Sequence, residues 1–145
     1  MVKSYYYIPS ISGNNPDNNP DKLIQYYKPK ELPIDVPYLI IKMGQSDIEN
    51  TKLVTEASDK DWWFHLADFP SAHALTYFEL SKDVGDYDFV NDKLVKLLIA
   101  NIVKKHSKQK NMNDIKVLYC QKSNLHLGDK PGLVILKKPA CSVTI

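Results

Sequence analysis

The stretch from Asp61 to Leu80 limits the possible architecture more than any other part of the chain. Asp61-Trp62-Trp63-Phe64-His65-Leu66 reads as one strand, and a second runs from His73 to about Leu80. The residues between them, Ala67-Asp68-Phe69-Pro70-Ser71, have the length of a hairpin connection and the proline of a tight turn. Side chains alternate along a strand, so Trp62, Phe64 and Leu66 share one face, which reads as core. Asp61, Trp63 and His65 share the other. A turn symmetric about Phe69 sets His65 opposite His73, Trp63 opposite Leu75 and Asp61 opposite Tyr77. The two imidazoles then face each other across the strands, ~5 Å apart at Cβ.

Four readings of that imidazole pair stay open from the residues alone. A metal site needs a third ligand, and Asp61, four residues back, is far along the strand. An acid–base pair needs a nucleophile or an activated water; Ser71 is near, but there is no Gly-x-Ser-x-Gly elbow. A structural role has the imidazoles bonded to loop backbone groups and fixing the turn. A binding role has Trp63 stacking while the histidines contact phosphate.

The rest of the chain supplies an α+β domain around a mostly antiparallel sheet, with two or three helices packed on it. Tyr5 to Ile8 reads as an edge strand and Tyr38 to Met43 as another strand, ended by Gly44. Asp47 to about Ala57 reads as a short helix with Ile48, Leu53 and Val54 on one side. The clearest helix runs from about Val90 to Lys105, capped by Asp88 or Asn91. Leu94, Val95, Leu98, Ile99, Ile102 and Val103 occupy one half of its cylinder, and Lys93, Lys96, Lys104 and Lys108 the other. Strands are expected at Ile115 to Cys120, Leu133 to Lys137 and Cys141 to Ile145. Six of the nine prolines fall before residue 38, and NNPDNNPD lies among them. Residues 9–37 therefore read as a surface insertion within one domain that covers residues 1–145.

Length and composition close off several classes. A chain of 145 residues can hold a core without staples or metal. No apolar run approaches the ~20 residues of a membrane helix, and the tyrosine-rich N-terminus lacks the run of a signal peptide. The two cysteines, Cys120 and Cys141, exclude a disulfide scaffold and a zinc ribbon; they read as buried thiols on neighbouring strands in a reducing compartment. The five glycines are too scattered for a phosphate or dinucleotide loop, and Gly44 and Gly132 read as turn residues. His106 and His126 read as solvated or capping residues. Neither metal nor cofactor is expected.

Charge is split along the chain. Residues 1–90 carry 8 lysines against 14 acids, whereas residues 91–138 carry 11 lysines against Asp92, Asp114 and Asp129. That basic half suits a polyanion, or simply a solvated lysine face. No arginine occurs, so bidentate readout of guanine is excluded and every cationic contact is a lysine point charge.

Asp61-Trp62-Trp63-Phe64-His65, with Pro70-Ser71-Ala72-His73 after it, resembles the signature of the NFACT-R domain. Met43-Gly44 and Glu49-Asn50 precede it as the family's glycine and asparagine do. Residues Asn111 to Tyr119, Ser123-Asn124-Leu125 and Pro131-Gly132-Leu133-Val134 resemble the C-terminal half of the small coiled-coil-bearing eukaryotic members. The likeness covers about residues 38–145, and it departs from the longer members at Ser71-Ala72, where they have glycine-serine. It implies a non-enzymatic, cytoplasmic RNA-binding module, with tRNA or ribosome-associated RNA as partner in translation quality control. The small members keep double-stranded DNA open as a ligand. On this reading Lys104, Lys105, Lys108, Lys110, Lys122, Lys137 and Lys138 contact phosphates, Trp63 stacks, and Asp61, His65 and His73 shape the site. The rivals are a nucleic-acid-processing enzyme using His65 and His73, and an adaptor whose cationic face meets acidic proteins.

Overall fold

The amphipathic helix and the hairpin organise the computed structural model, which describes residues 2–7, 38–79 and 93–145. Six antiparallel strands form the main sheet: β1 (Lys3–Tyr7), β2 (Tyr38–Met43), β3 (Trp62–Leu66), β4 (Ala74–Glu79), β5 (Lys116–Gln121) and β8 (Cys141–Thr144). Their order is β1-β2-β4-β3-β5-β8. A two-stranded ribbon, β6 (Leu125–Leu127) with β7 (Val134–Leu136), forms a second small sheet. Helix α1 (Asp47–Glu56) follows β2, and α2 (Lys93–Lys105) precedes β5. The domain is α+β and single.

The sheet buries both faces. Leu39, Ile41, Met43, Phe64, Leu66 and Val117 meet Val95, Leu98, Ile99, Ile102 and Val103 of α2 on one side. That half-cylinder of α2 is apolar as its periodicity predicts. On the other side, Trp63, Leu75 and Cys120 lie under Leu53 and Val54 of α1 and Leu125 of the ribbon. Side chains therefore sort by strand alternation, Phe64 to one core and Trp63 to the other.

The hairpin pairs Trp62 with Thr76, Trp63 with Leu75 and Phe64 with Ala74, the register expected from a turn about Phe69. β1 lies at the sheet edge as expected, and Ile8 falls outside the described residues. The insertion at 9–37, the helix caps at Asp88 and Asn91 and the end of the third strand at Leu80 fall outside the described residues.

Four expectations are corrected. Ile48 is 74% exposed, because α1 packs through Asn50, Leu53 and Val54 and Ile48 points away from all three. Lys96 is buried: it flanks the apolar stripe of α2 and its ammonium lies 5.1 Å from the Tyr119 ring centroid, a cation–π contact. Cys141 is exposed, because it begins an edge strand, while Cys120 is buried as expected. The ribbon strand β6 was not anticipated, since three residues are too few to show an alternation.

Candidate functional site

The signature residues make a closed polar network inside the second core. Trp63 is 2% exposed, and its Nε1–H donates to His73 Nδ1 at 3.0 Å. A His73 ring that accepts at Nδ1 carries its proton on Nε2, and the Gly132 backbone is its partner on that side. The His73 backbone is held as well: its N–H donates to Asn50 Oδ1 at 3.1 Å, and its carbonyl accepts from Gly44 N at 3.1 Å. Gly132 takes φ +82°, a left-handed conformation that favours glycine, and its N–H donates to Thr51 Oγ1 at 2.6 Å. The turn before α1 and α1 itself are thus tied to the His73 backbone, and Trp63 and the ribbon tip to its imidazole.

His65 completes the stack. Its ring lies parallel to the Trp63 indole at 5.6 Å and edge-on to the His73 ring at 4.7 Å, while its Nδ1–H donates to the Leu66 carbonyl at 2.6 Å. Burial depresses both histidines: His73 falls from the ordinary 6.5 to about 3, helped by the neighbouring His65, and His65 falls despite the Leu66 bond. The His73 imidazole and the Trp63 indole fill this interior, and the half-buried His65 ring borders it. Ser71 Oγ accepts from Leu66 N and donates to the Ala72 carbonyl, so it closes the hairpin turn.

The expected stacking role of Trp63 on a nucleic-acid base is therefore corrected. α1 and the β6–β7 ribbon cover the face it shares with Asp61 and His65, and the ring meets protein on both sides. His73, also 2% exposed, is likewise out of a ligand's reach. Asp61 caps a turn: its carboxylate accepts from Ser58 N at 2.9 Å, and burial raises its pKa against that bond and Lys122. No group of three or more metal-ligating side chains exists among the described residues.

The lysines do not converge on one groove either. Trp62 and Leu66 mark opposite ends of β3, roughly 13 Å apart at strand rise. Lys104 and Lys105 close α2, and Lys108 and Lys110 follow at the Leu66 end, where Lys108 lines a cleft with Ser71 and Gly44. Lys137 and Lys138 lie at the Trp62 end, and Lys122 there pairs with Asp59 at 3.7 Å. The cations follow chain segments that leave the sheet at opposite ends.

One indole does border solvent, and it is Trp62. Partly buried against the α2 core and 6.0 Å from the Tyr119 ring, it lines an open groove of about 410 Å³ with Gln121, Ser123, Lys137, Lys138 and Cys141. No carboxylate lines this groove among the described residues. Asn124 fixes its cationic wall, donating from Nδ2 to the Lys138 carbonyl at 2.9 Å and accepting from Lys138 N at 3.0 Å. Alternation assigned Trp62 to the core face; what it missed is that the core ends at Gln121, the residue paired with Trp62.

No family model matches the chain, and no curated protein matches it. Among solved structures, the C-terminal part of the fibronectin/fibrinogen-binding protein from Streptococcus suis is similar, with a TM-score of 0.60 and 25% sequence identity. The likeness covers 74% of this chain and 40% of that one, so the chain spans less than half the length of its structural neighbour.

Proposed function

We propose that the chain is a non-enzymatic RNA-binding module of the NFACT-R kind, acting in the cytoplasm on tRNA or ribosome-associated RNA. The observation that carries the reading is the groove at Trp62: a partly exposed indole beside Lys137 and Lys138, with no acid among the described residues that line it. An unpaired base stacks on an aromatic ring while lysines neutralise the flanking phosphates. Lys104, Lys105, Lys108 and Lys110, at the other end of the sheet, extend the contact to a longer RNA. An enzyme using His65 and His73 is disfavoured, because both ring nitrogens of His73 are occupied and its imidazole is held neutral.

Labelled tRNA titrated at several salt concentrations tests this. Log K should fall with log salt by about 0.7 to 0.9 for each phosphate neutralised. Lys137→Glu/Lys138→Glu should weaken binding more than Lys104→Glu/Lys105→Glu, and duplex DNA of equal charge should compete poorly. A flat salt dependence, or equal affinity in all variants, contradicts the reading. The described fibronectin/fibrinogen-binding neighbour favours a second reading, in which the cationic surface meets an acidic protein. Capture of such a partner that survives nuclease treatment would replace RNA with protein.

A further inference from the structure

At the end of the sheet away from Trp62, an open cleft of about 460 Å³ lies where three segments meet. The turn into α1, the β3–β4 hairpin loop and the residues after α2 each form one wall. We propose that this cleft is a phosphate-binding site, taking the phosphate of a nucleotide or of an RNA end at the start of α1.

Asn50 carries the argument. It is 4% exposed and lines the cleft. Its Oδ1 is occupied by the His73 N–H, whereas its Nδ2 amide makes no hydrogen bond among the described residues. The amide is not sealed off, since the buried side-chain atoms without a partner among the described residues are Thr76 Oγ1 and Gln109 Oε1, so water or a ligand in the cleft can accept from it. The donors around it agree. Ser46 Oγ accepts from Glu49 N at 3.2 Å, which leaves its hydroxyl proton free, and Asp47, the first residue of the helix, lines the same cleft. Lys108 adds a full positive charge from the opposite wall.

The two nearby acids are turned to other work. Glu49 Oε1 accepts from Gln45 N at 2.9 Å, closing a capping box with Ser46. The Asp47 carboxylate lies against the Gly132 turn, where a Cβ on Gly132 would stand 2.7 Å from Oδ1. His106, also in the wall, is bonded through Nε2 to the Tyr5 hydroxyl at 2.6 Å, and burial lowers its pKa. The donors that remain are an amide, a hydroxyl, the Asp47 N–H and an ammonium, which match phosphate oxygens. The buried Gln109 Oε1 in the same wall is an acceptor without a partner, which the O–H of a monoprotonated phosphate or a water can satisfy.

The test follows amide and side-chain NH₂ resonances of the isotope-labelled protein during titration with inorganic phosphate, with chloride holding ionic strength constant. Saturable shifts of the Asp47 amide and of the Asn50 NH₂ pair are expected. Lys108→Glu, on an exposed side chain, should weaken the site at least about tenfold through loss of the charge-assisted contact. Asn50→Asp keeps the acceptor for His73 N–H but removes the donor, and should abolish the shifts. Shifts that never saturate, or that Lys108→Glu leaves unchanged, overturn the proposal. AMP saturating below a 5′-phosphorylated oligoribonucleotide assigns a free nucleotide, and the reverse assigns an RNA end. The site is independent of the Trp62 groove, so phosphate binding without tRNA binding leaves it standing and removes the RNA reading.

Discussion

With Trp63 donating to Nδ1 and the Gly132 backbone bonded on the other side, His73 sits where a charged imidazole has no counter-ion. The consequence is a pH dependence with a definite sign. An unfolded imidazole takes a proton near 6.5, whereas the folded one resists until about 3. Stability contributed by neutral His73 is thus fully present above 6.5 and is lost as pH falls toward 3, by up to about 1.4 kcal/mol per pH unit. Asp61, whose pKa burial raises, works in the opposite direction at lower pH, so the clearest window is pH 6.5 to 5. Chemical denaturation across that window should show falling stability, and His73→Gln should flatten the slope. An unchanged slope in the variant would place the pH dependence elsewhere.

The same network joins whole elements, and the junction between β2 and α1 is its narrowest point. Gly44 is buried there, and a Cβ added to it would stand 2.0 Å from Asn50 Oδ1, the atom that holds the His73 backbone. Gly44→Ala must push α1 outward or break the Asn50 bond, at a cost of about 1–3 kcal/mol. Thermal unfolding should show that loss; an unchanged midpoint would mean that the junction yields freely. At this scale much of the fold was legible. Alternation and turn length placed Trp63 opposite Leu75 and brought His65 beside His73, and the period of α2 marked the residues that bury. What covers Trp63 was not legible. The cover comes from α1 and from β6 and β7, strands of three residues each that lie far along the chain. Alternation separates the two faces of a strand but does not say which faces solvent. An acid, an indole and an imidazole on one face therefore looked like a surface site, while Asp61 caps a turn at Ser58 and the indole stacks on His65 and bonds His73.

Across the whole molecule, the signature and the ligand surface separate. The Trp63–His65–His73 group holds the layers together, while the lysines lie at the two ends of the sheet, each group beside its own cleft. Charge imbalance along the chain reported the presence of cations but not their division, because β5 crosses the sheet from the Leu66 end to the Trp62 end and so separates the lysines before it from those after it. The two indoles give the most direct test. In a spectrum of the labelled protein, with Trp62→Phe assigning the signals, the Trp63 indole N–H should exchange slowly with solvent and stay in place when tRNA is added. The Trp62 indole N–H should move with tRNA and saturate with it. Movement of the Trp63 signal with Trp62 unmoved would contradict the account, because it would return the buried ring to the ligand.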